Sequence, residues 1–211
     1  MDRRRHHLSS LIATASVGLA LAVVVVRRRS VALTLVTAQS LMLAGVAVWR
    51  TGGHLELMTG AGALLLRTVA IATILGIGIA RTRETRPVRA GIEPMVRVVI
   101  ALAALLAIPP LMPALGFGDQ YAQRGAVALV VLGIIIALTR RATIVQILGI
   151  IVAENGATLA ALSASDAVPG VIELGVILDL LLIAVVAIAF HTRIFGQFGS
   201  GDSAQLQDLH D

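Results

Sequence analysis

Long apolar segments with few charged residues are the feature that most constrains how this chain can fold. We count seven of them: residues 8–26, 31–49, 57–80, 94–115, 125–138, 143–162 and 168–190. Most are close to the roughly 20 residues that a helix needs to cross the hydrocarbon core of a bilayer. Their apolar residues run continuously instead of alternating with polar ones, which argues against a β-barrel. The expected fold class is therefore all-α, a polytopic membrane helix bundle of about seven transmembrane helices.

The composition agrees with this fold and excludes several kinds of site. Hydrophobic residues make up 57% of the chain and charged residues 14%, whereas a soluble domain carries about 25% charged residues. The absence of cysteine excludes disulfides, thiolate metal sites and iron–sulfur clusters. The five histidines show no spacing typical of metal ligands. We therefore expect no metal or haem site.

The distribution of arginine predicts the membrane topology. All 17 basic residues are arginines, against 12 acidic residues, and they cluster between the apolar segments. For this reason we expect a lipid bilayer, and no nucleic acid, as their partner. Loops on one side, including those to which Arg97 and Arg140 are assigned, hold 11 arginines, and those on the other side hold 5. The richer side is expected to be cytoplasmic, which places the N-terminus outside, although the arginines at 3–5 oppose this assignment.

Loop composition divides the chain into three parts. The stretch 116–124 separates four apolar segments from three, so we expect an N-terminal four-helix membrane unit (1–122) and a three-helix unit (123–194). Residues 195–211 are polar and form the expected flexible cytoplasmic tail. The first segment resembles a signal peptide in its basic start. It ends in three arginines without a small-residue cleavage site, so we expect a retained helix.

Charged residues inside the apolar segments are the candidates for function. A charged side chain at the bilayer centre costs about 2.5–3.5 kcal/mol on insertion scales. Three such residues are Arg67, Glu154 and Asp179. At about 1.5 Å per residue they lie roughly 13–15 Å from the outer boundary, and Glu173 lies at about 6 Å. Three helices thus carry opposite charges at one level, and we expect these side chains to face one another inside the bundle.

These charges allow more than one interpretation. Midplane carboxylates commonly mark proton or ion pathways, and a carboxyl group beside a cation can bind and release a proton near neutral pH. Arg67 keeps its own proton, so its role would be to modulate the charge of the site. Alternatively, the charges form a buried network that only holds the helices in register. Snorkelling side chains or a wrongly assigned span remain a third explanation.

Neutral polar residues in the same segments are candidates for polar support. They are Asn155, Gln146, Gln39 and Ser40. Gln146 could hold a water molecule between the charged site and the cytoplasm, and Gln39 and Ser40 could do the same elsewhere. For each of the four we favour a hydrogen bond between helices. Gly156, next to Asn155, would let a neighbouring helix or water come close.

Two stretches of this sequence resemble a known family. RRATIVQILGIIVAENGATLAAL (140–162) and VIELGVILDLLLIAVVAIAFHTRI (171–194) resemble component E of hydrogenase-4, a membrane subunit of formate hydrogenlyase-type group 4 nickel–iron hydrogenases. The most specific features are ENG at 154–156 and the pattern ELGxxxD from Glu173 to Asp179. AQSL (38–41) and the cation at Arg67 agree with the same family.

The C-terminal half is also similar to the three-helix K-type subunit of complex I and of multisubunit sodium/proton antiporters. Its arginine pair would fall on Arg140 and Arg141, its motif asparagine on Asn155 and its second acid on Asp179. Its first acid would fall on Ile151, which is a departure. Glu154 lies one helical turn later on nearly the same face and could substitute.

This resemblance implies a multi-pass, cofactor-free subunit of a bacterial or archaeal plasma membrane. Its implied partners are antiporter-like membrane subunits and the membrane anchor and hydrophilic arm of a hydrogenase-type complex. Glu154, Asp179 and Glu173 would relay protons, and Arg67 would modulate their charge. The alternatives are a purely structural scaffold subunit of that complex and a stand-alone small-solute or ion transporter.

Overall fold

The described part of the chain is a bundle of α-helices. The computed structural model describes residues 2–50, 55–82, 92–111, 120–163 and 188. Its helices are α1 (Asp2–Val25), α2 (Arg29–Arg50), α3 (Leu55–Thr82), α4 (Pro94–Leu111), α5 (Gln120–Thr139) and α6 (Thr143–Ser163). These residues contain no β-strand. Helices are expected in a bilayer, because each helix satisfies its backbone hydrogen-bonding groups internally.

Four of these helices are long and apolar enough to cross a membrane. The stretches concerned are Arg29–Trp49, Gly60–Ala80, Gln120–Thr139 and Thr143–Ser163. Shorter apolar stretches lie in α1 (Ser10–Val25) and α4 (Pro94–Ile108). The chain is therefore a multi-pass helical membrane protein. The seventh expected span, 168–190, lies outside the described residues, so the count of seven stays a prediction.

The start of α5 differs from the sequence-based expectation. The apolar pattern predicts a short span over 125–138, whereas α5 begins at Gln120 and ends at Thr139. The additional first turn contains the polar residues Gln120, Gln123 and Arg124. Hydropathy marks only the part of a helix that suits hydrocarbon. The helix itself continues into the interface, because its backbone hydrogen bonds form there as well.

Glycine allows α5 and α6 to pack unusually close together. A Cβ atom at Gly149 would lie 2.6 Å from the backbone nitrogen of Ala137 and 2.7 Å from the carbonyl oxygen of Gly133. A Cβ atom at Gly156 would lie 2.7 Å from the carbonyl oxygen of Ala126. Such contacts with backbone atoms leave no room for any side chain. This close packing fixes the rotation of α6, and with it the direction in which Glu154 points.

Two contacts show that α1 and α5 run in the same direction. At the middle of α1 and near the start of α5, a Cβ atom at Gly125 would lie 2.7 Å from the Cβ of Ala13. Near their ends, Arg140 donates a hydrogen bond to the carbonyl of Val24. Helices on both sides of the expected boundary at 122/123 therefore pack against one another, and the division into units stays a prediction.

Candidate functional site

A buried ion pair joins α3 to α6. Nη2 of Arg67 lies 2.5 Å from Oε2 of Glu154, and the two side chains are 5% and 14% exposed. The structure thus brings together two of the three intramembrane charges that the sequence predicts to meet. Asp179 and Glu173 lie outside the described residues.

Helix periodicity places both charged residues on inward faces. In α3, Arg67 is buried together with Ile71 and Leu75, whereas Leu66 and Val69 are exposed. In α6, Glu154 lies one turn after the buried Ile151 and next to the buried Asn155. An interior with a low dielectric constant strengthens the attraction between the two charges. Removing one partner would leave the other as a buried, uncompensated charge.

Hydrogen bonds between side chains connect α6 to α2 beside the ion pair. Nδ2 of Asn155 donates to Oε1 of Gln39 and to Oγ of Ser40, both at 2.9 Å. The Ser40 hydroxyl also lies 3.1 Å from Oδ1 of Asn155. Nε2 of Gln39 donates to the backbone carbonyl of Ser16 in α1 at 2.9 Å. We call Gln39, Ser40, Arg67, Glu154 and Asn155 the polar cluster; through Ser16 it also contacts a fourth helix.

A small cavity links the ion pair to these hydrogen-bonded side chains. Its volume is about 10 Å³, and its polar lining comes from Thr37, Ser40, Arg67 and Thr68, alongside apolar residues of α2, α3 and α6. This volume is close to the minimum that holds one water molecule. Ser40 lines the cavity and also bonds Asn155. The charged and the neutral members of the polar cluster therefore form one continuous group.

One carboxylate oxygen in the cluster is available for a proton. Oε1 of Glu154 is buried and has no hydrogen-bond partner among the residues that the structure describes. Oε2 faces Arg67. A carboxyl group with one oxygen held by a cation and the other unengaged can take a proton on the second oxygen without first breaking a hydrogen bond.

Gln146 lies apart from the polar cluster. Its Nε2 donates to the carbonyl oxygen of Arg140 at 2.9 Å, within the short connection between α5 and α6. Its position in the sequence allows Gln146 either to hold a water molecule between Glu154 and the cytoplasm or, as we favour, to form a hydrogen bond between helices. In the structure, its amide nitrogen stabilises the turn that brings α6 back against α5.

Two arginines have a role that the number of arginines on each side does not reveal. Arg97 and Arg140 belong to the arginine-rich side that predicts topology, yet they are 0% and 2% exposed. Nη2 of Arg140 donates to the backbone carbonyls of Val23, Val24 and Val26 at 3.3, 2.9 and 2.5 Å, at the end of α1. The burial of Arg97 could have been inferred from its position, because it lies three residues after the start of the apolar segment 94–115.

The described residues offer no donor set for a metal ion. No group of three or more histidine, aspartate or glutamate side chains lies together in that part of the chain. The chemistry available at the polar cluster is therefore that of a carboxyl group, a guanidinium, amides and a hydroxyl. Comparison with protein-family models, curated proteins and solved structures finds no match to this chain.

Proposed function

We propose that this chain is a non-catalytic membrane subunit of a group 4 hydrogenase or a related complex-I-like complex, in which Glu154 carries protons. The observation that carries the proposal is the buried contact between Arg67 and Glu154. Ionisable residues within a membrane are costly and usually functional, and they pair with each other inside the bundle. The kind of complex is proposed from the resemblance of residues 140–162 and 171–194 to component E of hydrogenase-4.

In this proposal, Glu154 alternates between two states. As a carboxylate it is paired with Arg67, which keeps its proton throughout. When Oε1 takes a proton, the attraction to Arg67 falls and the carboxyl group can turn toward the cavity beside Ser40. A hydroxyl both donates and accepts, so Ser40 can take part in a proton transfer, whereas Gln39 and Asn155 only hold it in place.

The proposal extends to residues and partners beyond the polar cluster. Asp179 and Glu173 would continue the relay, as the family resemblance implies. The partners would be antiporter-like membrane subunits and the membrane anchor and hydrophilic arm of the complex, in a bacterial or archaeal plasma membrane. The chain has no cysteine, so any nickel–iron or iron–sulfur chemistry would belong to other subunits.

A scaffold role is the second candidate, and the direct hydrogen bonds of the polar cluster favour it. Arg67 contacts Glu154 directly, and Asn155 bonds Gln39 and Ser40 directly. Such contacts can hold helices in register without moving a proton. In this case the polar cluster would determine assembly of the complex and have no part in its coupling.

The substitution Glu154→Gln separates the two candidates in the intact complex. It keeps the shape of the side chain and removes the site that binds the proton. The relay proposal expects an assembled complex, seen on native gels, whose redox-driven proton pumping in inverted vesicles is lowered. Normal pumping by the assembled variant would remove the relay. Lower assembly with full coupling in the complex that survives would support the scaffold.

A matched control keeps this test specific. Glu93 is exposed and forms no ion pair with a described residue, so Glu93→Gln removes one carboxylate without touching the polar cluster. We expect this control to pump normally. If Glu93→Gln and Glu154→Gln lower pumping equally, the effect reflects the loss of negative charge in general, and the assignment of Glu154 is wrong.

A further inference from the structure

Three arginines from separate connections lie together at one end of the bundle. Arg27 follows α1, Arg97 lies in the first turn of α4 and Arg140 follows α5. Nη2 of Arg140 donates to the carbonyl of Val26, the residue before Arg27, and α4 packs against both α1 and α5. Arg27 and Arg97 accordingly each repel the charge of Arg140, and Arg27 repels that of Arg97. Arg27 is exposed at the surface, whereas Arg97 and Arg140 are buried behind it. We call these three residues the arginine cluster.

The guanidinium of Arg97 lacks hydrogen-bond acceptors. Its Nε, Nη1 and Nη2 are all buried, and none has a hydrogen-bond partner within the described ranges. Arg140 differs, because its Nη2 is used by the carbonyls at the end of α1, although its Nε is unpaired as well. A guanidinium has five N–H donors, and burying them unpaired is costly. The guanidinium of Arg97 and the Nε of Arg140 therefore lack acceptors among the described residues.

The described acidic side chains do not balance this charge. Glu154 is paired with Arg67, and Glu93, although one turn before Arg97, is exposed and forms no ion pair with a described residue. Burial, together with repulsion by Arg97 and Arg27, lowers the pKa of Arg140 from its ordinary value of 12.5 to about 10. Since three cations lie together without a described counter-ion, the site favours a bound anion.

We propose that the arginine cluster binds the phosphate of an anionic phospholipid headgroup. The planar fork of arginine suits phosphate oxygens, and basic pockets between transmembrane helices are typical sites for anionic headgroups. Arg27 gives the phosphate its first contact at the surface. Arg97 supplies the buried, unpaired N–H donors that phosphate oxygens can accept.

The surface beside the arginine cluster favours a lipid over free phosphate. Met95, Val96 and Val99 of α4 flank Arg97 in sequence and are 71%, 45% and 58% exposed. They form an apolar face on which acyl chains can pack while the headgroup contacts the arginines. The three arginines also lie at the ends of apolar helices. The ends of membrane-spanning helices lie at the depth of the lipid headgroups.

The test measures lipid binding to the purified full chain by native mass spectrometry. Phosphatidylglycerol and phosphatidylcholine with the same acyl chains are compared, with inorganic phosphate as competitor. We expect selective retention of phosphatidylglycerol. Arg27→Gln should lower that affinity about fivefold, and Arg27→Gln with Arg97→Gln about thirtyfold. Each basic residue near the membrane surface contributes about fivefold to the affinity for an anionic lipid. Equal binding of the two lipids would overturn the proposal.

Two further measurements separate a lipid site from a site for free phosphate and from binding by overall charge. Competition by inorganic phosphate as strong as that by phosphatidylglycerol would show a free-anion site and overturn the lipid assignment. Arg124→Gln is the matched control, because it removes one exposed arginine from the opposite end of α5. An equal loss of affinity in Arg124→Gln and Arg27→Gln would show binding by overall charge. Since Arg97→Gln removes a buried unpaired charge, we expect this variant to fold, and Arg27→Gln changes only the surface.

Discussion

The side chains of Asn155 and Gln39 join α6 to α2 through a buried hydrogen bond of 2.9 Å. The two residues are 116 positions apart in the sequence. Asn155 is the immediate neighbour of Glu154, so this bond also helps to determine where the carboxyl group of Glu154 lies. The polar cluster is therefore held by a neutral pair as well as by a charged one.

Asn155→Ala is expected to destabilise the bundle. It removes the donor to both Gln39 and Ser40, and interhelical hydrogen bonds in membranes contribute about 0.6 kcal/mol each on average, with values up to about 1.7. The measurement is the fraction of monodisperse protein that remains after heating in lipid nanodiscs, by size-exclusion chromatography. Thr73→Val is the control, because Thr73 bonds only the carbonyl of Val69 in its own helix. A control as unstable as Asn155→Ala would contradict the prediction.

Gly149→Ala is expected to push α5 and α6 apart. The added Cβ would meet the backbone nitrogen of Ala137 at 2.6 Å, and backbone atoms cannot move aside as the end of a side chain can. Overpacking of this kind costs about 1–3 kcal/mol. Gly45→Ala is the matched control, since no atom of the described residues lies within 4 Å of a Cβ placed there. This variant is expected to gain up to about 1 kcal/mol from helix propensity. The same heating assay compares them, and equal stability of both variants would be evidence against the close packing.

The charged pair should behave as a unit when its two residues are replaced together. Arg67→Met alone leaves Glu154 buried without its partner, which should cost about 3–5 kcal/mol. Adding Glu154→Leu removes the second charge and should restore most of the stability, since apolar replacements of a whole buried pair are often neutral. Thermal stability of both single variants and the double variant gives the coupling energy. Additive losses would mean that the two side chains do not interact.

Cysteine substitutions can test the packing of α1 against α5. The chain has no cysteine of its own, so introduced thiols give an unambiguous result. A Cβ at Gly125 would lie 2.7 Å from that of Ala13. A small movement of the two helices apart would give the Cβ–Cβ distance of roughly 3.8 Å that a disulfide requires. We expect the pair Ala13→Cys and Gly125→Cys to become unavailable to maleimide after mild oxidation. Ala13→Cys with Gly45→Cys should remain reactive, and oxidation of both pairs alike would contradict the described packing.

Much of the architecture could be predicted because membrane insertion depends on each segment separately. The apolar patterns over 31–49 and 143–162 lie within α2 and α6 and differ from their ends by at most two residues. The start of α5 was less predictable, since the helix continues into polar residues at Gln120 where hydropathy no longer marks it. The distance of a residue from the end of its helix could also be calculated from the sequence, because the rise per residue is constant.

The sequence did not predict which neighbouring helix each polar side chain contacts, because that depends on how each helix is rotated about its axis. Gln39 was a candidate for polar support, but its bond to Asn155 depends on how α2 and α6 are rotated against each other. Arg97 was counted as a loop residue, and only the packing around α4 buries its guanidinium. Gln146 has the same polar side chain as Gln39, yet it bonds within its own turn. Sequence spacing alone does not distinguish these cases.

By itself, the sequence determined that the chain is a helical membrane protein with charges at depth, because the cost of exposing backbone and charge to hydrocarbon acts on each segment independently. The tertiary structure decided that Arg67 meets Glu154 and that Asn155 meets Gln39. It also left Arg97 without an acceptor in the described part of the chain. These outcomes depend on helix rotation, which close contacts such as that between Gly133 and Gly149 impose on residues far apart in the chain.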